Sequence, residues 1–204
     1  ETNFPSASLI RSRILSGKKT PDGALPDFMD AIAVSERQAG RFPADIRALD
    51  QAMTAVLKRM SIEELKEVPE ITEGLENAVF NAAKTAGSVP AMLDALKSKR
   101  YTHSRLRRIL LSAFLGLTRE LQQADPPYLR LLAAGENGRE LLREIAEKAA
   151  VPVVTKPARL KELPGCAKLA EFEARADALY SLAYPDPKAR GDGGFFTRSP
   201  FVIR

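Results

Sequence analysis

The sequence predicts a mostly α-helical fold, a helical bundle-like region followed by a small α/β portion with one βαβ unit. Apolar residues recur at three- and four-residue spacing through most of residues 1–125, the period of helices with one buried face. Helix-starting hydroxyls and helix-stopping glycines punctuate those stretches. After Asp125-Pro126-Pro127, two short apolar runs, "YLRLLA" and "VPVVT", flank a helical stretch. Strand, crossover helix and strand at that spacing indicate one parallel βαβ unit, joined in the right-handed sense.

Taken in order, Ser6 or Ser8 caps a short helix whose Leu9, Ile10, Ile14 and Leu15 share a face and whose stop is Gly17. "KKTPDG" follows as a flexible turn. From Ala44 to Met60, the spacing of Ile46, Leu49, Met53, Val56, Leu57 and Met60 predicts an amphipathic helix. Ser61 and Glu64 form a capping box opening a short helix that closes near Val68-Pro69. Helices are then expected over 72–86, stopped by Gly87, over 90–99, and over 103–117, the last burying Leu106, Ile109, Leu110, Ala113 and Phe114. In the α/β portion, "NGRELLREIAEKA" places Leu141, Leu142 and Ile145 on one face. A helix from Ala167 to Tyr180 leads into "YPDPKARGDGGFFTRSP", whose Pro and Gly content predicts an extended or mobile tail.

Composition bounds the function. The 204 residues suffice for a buried core. A net charge of +5 with a pI near 9.4 acts mainly through where the charge clusters. Cys166 is the one cysteine, which excludes an internal disulfide and a multi-cysteine metal site. No apolar stretch approaches the roughly 20 residues that span a bilayer, so the expectation is a cytoplasmic protein with no membrane partner.

The densest charge lies in "LKSKRYTHSRLRRILL", which puts six Lys or Arg and no acid between Lys97 and Arg108. Arg105 and Arg108, three apart, share a helix face, with Lys97, Lys99 and Arg100 beside them around Tyr101 and His103. Cations of this kind reach phosphates, and a ring among them can stack on an unpaired base. The plain alternative is a solvated helix face, and the absence of any acid favours a polyanion. His103, the sole histidine, reads as a contact or surface residue rather than a base. "SASLIR" offers hydroxyls at a helix start with an Arg one turn on, an anion site in form, against the commoner reading of an ordinary cap. "GENGRE" lacks the Lys-Ser or Lys-Thr ending of a phosphate loop. Cys166 has no histidine near it in sequence, and no carboxylate pair or triad is evident.

Several stretches together resemble one family, the bacterial tRNA(Met) cytidine acetate ligases, a group of nucleotidyltransferases: "SASLIRSRI", where the family has Ser-Ala-Thr/Ser-x-Ile-Arg, then "ITEGLENAV", "LKSKRYTHSRLRRILL", "PYLRLLAAGENGRELL", "VPVVTKP" and "EARADALYSLAY". They occur in the family's order and span essentially the whole chain. The resemblance implies an enzyme that activates acetate with ATP, accompanied by Mg2+, as acetyl-adenylate and transfers the acetyl group to the wobble cytidine of elongator tRNA(Met). It also implies a His-x-Gly-His motif, which one histidine cannot supply. The chain is therefore expected to be the C-terminal half, inactive alone, with a missing N-terminal catalytic half as partner. On that reading residues 1–17 are the end of the nucleotide-binding half, 18–125 the RNA-facing region, and 126–204 the α/β portion with its tail. Ser6, Ser8 and Arg11 become contacts of the ATP phosphates, with Ser8 where Thr is common. Lys97, Lys99, Arg100, Tyr101, His103, Arg105, Arg107 and Arg108 become tRNA contacts, extended by Arg130 and with less support by Arg139. The rival readings are a non-enzymatic helical RNA-binding module and a domain that docks its basic strip on an acidic protein.

Overall fold

The structure, a computed structural model, describes residues 5–135 and 138–202, with the side chains of Arg139 and Val202 outside the description. The chain divides into two compact units: Glu1–Leu49 with Tyr180–Gly191, and Asp50–Leu179 with Asp192–Arg204. The expected functional boundaries at 17 and 125 lie inside these units.

In the first unit, α1 (Ala7–Leu15) starts at Ser6, whose Oγ accepts a hydrogen bond from the Leu9 N–H at 3.2 Å. It stops as expected at Gly17 (φ 68°), with the Lys18 N–H reaching back to the Arg13 carbonyl at 2.9 Å. A second helix, α2 (Phe28–Gln38), follows where the sequence reading had no element. Its Phe28, Ile32 and Val34 are exposed, so no clean apolar stripe marked it. Glu36 and Arg41 then pair fork to fork, with both nitrogen–oxygen distances 2.7 Å. Gly40 (φ 71°) lets segment 183–191 pass close: a Cβ there would lie 2.5 Å from that of Asp186. The Asp186 N–H donates to the Gly40 carbonyl at 3.1 Å.

The second unit is built on helices. The predicted helix over 44–60 is a 3-10 turn, Ile46–Leu49, that ends the first unit, followed by α3 (Asp50–Arg59). The capping box at Ser61 and Glu64 forms with both reciprocal bonds, at 3.1 and 2.8 Å, opening α4 (Ile62–Lys66). Next come α5 (Leu75–Thr85), α6 (Val89–Leu96) and α7 (His103–Leu115), ended by Gly116 in the left-handed conformation. The core of this bundle holds Met53, Leu57, Leu65, Val79 and Met92 together with all five predicted residues of α7, Leu106, Ile109, Leu110, Ala113 and Phe114, each at most 4 % exposed. A short α8 (Arg119–Gln123) leads to the α/β portion.

The predicted βαβ unit is present with very short strands. β1 (Leu129–Arg130) pairs in parallel with β3 (Val153–Val154), Leu129 opposite Val153, with α9 (Gly138–Lys148) between them in the chain. Leu141 and Ile145 on α9 remain exposed. A second parallel pair was not foreseen: β2 (Ala133–Ala134) takes β4 (Phe201–Val202) from the tail. α10 (Ala167–Ser181) completes the helices. The expectation of an extended or mobile tail needs correction over residues 192–202. Phe195 is buried with Tyr128, Val154, Leu160, Cys166 and Ala170, and Gly193 (φ 73°) sits where a Cβ would meet the Asp177 backbone at 2.4 Å. Burial of the Phe195 ring contributes about 1.5–3 kcal/mol toward holding the segment, alongside the pairing of β4 with β2 and the contacts of Arg130 with Phe195. Cys166 is itself 1 % exposed, as befits a packing thiol.

Leu110→Ala should lower stability by about 2–5 kcal/mol, since it opens a cavity in a filled core. Leu141→Ala on the exposed face of α9 should change it by less than about 0.5 kcal/mol. Urea unfolding followed by circular dichroism distinguishes the two; equal effects would mean that α7 does not organise the bundle.

Candidate nucleic-acid interface

Helix α6 ends three residues earlier than expected, so residues 97–102 form a connector rather than a helix end. Ser98 Oγ accepts from the backbone N–H groups of Arg100 and Tyr101, both at 3.3 Å, which turns the chain. Thr102 then caps α7, accepting from the Arg105 N–H at 3.4 Å. With Leu106, Ile109 and Leu110 buried, the phase of α7 puts Arg107 and Arg108 outside and Arg105 at the margin.

The strip lacks acids in sequence but not in space. Glu70 and Glu73, on the loop between α4 and α5, supply them. Arg108 donates to both carboxylate oxygens of Glu70, at 2.9 and 2.7 Å. Arg105 donates to the Glu70 carbonyl at 2.8 Å and to Thr72 Oγ1 at 3.3 Å, and lies 3.9 Å from the Glu70 carboxylate. Arg100 pairs with Glu73. The Arg100 and Arg105 guanidiniums stand 5.8 and 5.2 Å from the centre of the Tyr101 ring, so that ring already holds two cations.

The acidic loop is fixed firmly. Val68, Pro69, Ile71 and Leu75 are buried, and Arg119 donates to the carbonyls of Lys66, at 3.1 Å, and of Ile71. Glu70 and Glu73 both have left-handed backbones, φ 64° and 58°. That conformation is rare for a residue with a Cβ and costs about 1–2 kcal/mol each. Sequence reasoning missed these two partners. The signal available was a row of glutamates at 64, 67, 70, 73 and 76, three apart and about thirty residues before the strip.

Three cations of the strip remain uncommitted. Lys97, Lys99 and Arg107 are exposed and have no side-chain partner among the described residues. His103 is half-buried, and its Nδ1 has no hydrogen-bond partner. Arg130 does not join the strip in any contact: it lies 4.5 Å from the Phe195 ring centre and donates to the Phe195 carbonyl at 3.4 Å, holding the tail. The side chain of Arg139 lies outside the described residues.

In the first unit, Ser6, Ser8 and Arg11 are exposed at the start of α1, whose first turn carries no acid. That arrangement suits an anion, although Ser6 Oγ already caps the helix. Arg11 borders a cavity of about 480 Å3 whose walls include Ile14, Phe42, Tyr180 and Tyr184. Among the described residues no group of three or more His, Cys, Asp or Glu could hold a metal ion, and no helix is long and apolar enough to cross a membrane.

The bond from Arg108 holds the Glu70 carboxyl below the ordinary glutamate value of about 4.5. A depressed folded-state value adds stability above that pH and loses it as pH falls through the folded value. Because Arg108 and Glu70 are partly solvated, at 60 and 33 % side-chain exposure, the effect should be small. Glu70→Gln should therefore flatten the fall in stability as pH drops below the ordinary glutamate value of about 4.5; an unaltered pH profile would mean the pair is screened away.

The comparisons with known proteins agree with this fold. The sequence model of the HIGH Nucleotidyl Transferase family matches residues 1–193. Curated relatives named tRNA(Met) cytidine acetate ligase include one from Thermoanaerobacter sp. (strain X514), 32 % identical over 92 % of this chain and 47 % of its own length. Another, from Acetivibrio thermocellus, is 30 % identical over 98 % of this chain and 51 % of its own. The chain thus spans about half the length of the curated relatives it matches. Among solved structures, Thermotoga maritima TmcAL bound with alpha-thio ATP superimposes with a TM-score of 0.87 at 25 % identity, covering 100 % of this chain and 53 % of that one. The apo form of the same protein gives the same TM-score at 24 % identity. On the match to residues 1–193 of its 204, the chain belongs to the HIGH nucleotidyl transferase family.

Proposed function

We propose that this chain is the tRNA-holding part of an ATP-dependent ligase that acetylates the wobble cytidine of elongator tRNA(Met) through acetyl-adenylate, in the cytoplasm. The observation that carries the reading is the likeness to relatives named tRNA(Met) cytidine acetate ligase across nearly the whole chain. The free cations Lys97, Lys99 and Arg107 support it, because they face solvent at one connector and helix start. Each phosphate they neutralise releases counterions and makes binding salt-sensitive. Arg100, Tyr101, Arg105 and Arg108 belong to the same surface, and His103 stands at its edge.

ATP, with Mg2+, supplies the activation of acetate. The activating groups that the family's name refers to, a His-x-Gly-His pair, exceed the single histidine here, so this chain's part is to bind and orient, and alone it is inactive. Ser6, Ser8 and Arg11 fit the role of phosphate contacts: the positive end of a nine-residue helix, no acid in its first turn, and an exposed guanidinium one turn on.

The test is a titration of the 204-residue chain with elongator tRNA(Met) at two salt concentrations, against an initiator tRNA. Salt-sensitive binding that prefers the elongator is expected. Replacing Lys97, Lys99 and Arg107 together by Ala should weaken it and reduce the salt slope by up to about 3. A folded triple variant that binds as wild type would remove the strip from the interface. In a separate titration, Arg11→Ala should weaken ATP binding about tenfold or more, as loss of a charge-assisted phosphate contact does; equal affinity removes Arg11 from the phosphate site.

A further inference from the structure

Half of the strip's charge is already answered from within the protein. The edge of Arg108 that grips Glu70, Nε and Nη2, is the edge a guanidinium offers to a phosphate. Carboxylate and phosphate compete for the same fork. The loop that presents the carboxylates is held by buried apolar residues and by the bonds from Arg119, and both glutamates sit at left-handed positions where Gly or Asn would be unstrained. Strain kept at a well-anchored loop is a reason to ask what the side chains there do.

We propose that Glu70 and Glu73 are specificity-determining residues of this surface, occupying Arg108 and Arg100 so that RNA phosphates must displace them in order to bind. The inference rests on the RNA-binding reading above. Lys97, Lys99 and Arg107 carry no such competitor and make the first contact. A short or irregular polyanion that touches only those three gains little, because the other guanidiniums stay on their carboxylates. An RNA whose backbone follows the whole surface exchanges each carboxylate for a phosphate, and exposed ion pairs of this kind contribute little enough individually to be exchanged. The loop thus lowers affinity for any polyanion while raising the ratio between a fitting RNA and an ill-fitting one.

The alternative role for the glutamates is to hold the guanidiniums in place for RNA, and it has the opposite sign. The test uses Glu70→Gln with Glu73→Gln in the full 204-residue chain, checked for folding by thermal unfolding, and a second pair, Glu70→Asn with Glu73→Asn, which suits the left-handed positions. Each is titrated with elongator tRNA(Met) and with a 20-nucleotide oligouridylate. Both double variants should bind the oligouridylate about five- to tenfold tighter, as expected for freeing two exposed pairs, and the tRNA by a smaller factor, so that selectivity falls. Unchanged or weaker binding of both RNAs by a folded variant overturns the inference while leaving the RNA-binding reading in place. If wild type binds neither RNA, that reading fails as stated; the inference then survives only if the variants gain binding, and falls with it if they do not.

Discussion

The burial of one face of α7 is the constraint on which the rest of the second unit depends. Leu106, Ile109, Leu110, Ala113 and Phe114 are all at most 4 % exposed, and a helix can bury such a stripe in only one rotational phase. That phase decides everything about the charges. It sends Arg107 and Arg108 to solvent, leaves Arg105 at the rim, and brings Arg105 and Arg108 against the loop that follows α4. The same packing sets α3 and α6 against α7, with α5 packed in turn on α3 and α6, so the helices that frame the basic surface are fixed by the core beneath it rather than by the ion pairs upon it.

This division of labour explains what the sequence could and could not reveal. The apolar period of residues 103–117 announced both the helix and its buried set, and the hydroxyl and glycine punctuation announced the caps at Ser6 and Ser61 and the stop at Gly17, because these are local effects of spacing and backbone conformation. The partners of the arginines were not local. Glu70 lies 38 residues before Arg108, and its approach depends on a loop conformation with two left-handed glutamates that no propensity would suggest. A segment free of acids in sequence is therefore a poor guide to whether its cations are free in space.

The tail and α2 show the same limit from the other side. Composition made residues 184–200 look mobile, yet the burial of Phe195 and the close approach allowed at Gly193 tie part of that stretch to the core. The two-residue β4 depends wholly on its pairing with β2, so its own residues gave no period to read. Helix α2 keeps Phe28, Ile32 and Val34 exposed, and an amphipathic reading finds helices only where burial has sorted their side chains. Arg130, assigned to the tRNA surface by resemblance alone, has its guanidinium on Phe195 and the tail.

The interface therefore rests on a contrast between two kinds of arginine. Arg119 and Arg105 donate to backbone carbonyls of the acidic loop, bonds that a ligand could replace only by dismantling that loop. Arg108 and Arg100 donate to carboxylates that are themselves partly exposed, at 33 and 59 % for Glu70 and Glu73. Water reaches the second kind and so could a phosphate. In a solvated setting the energy of such a pair is small because the alternative, hydration of both ions, is nearly as good. Exchange of one anion for another then costs little, and the balance is set by how many phosphates arrive together. A surface of this design keeps its arginines ordered when no ligand is present and still leaves their charge available to a polyanion that can meet several of them at once.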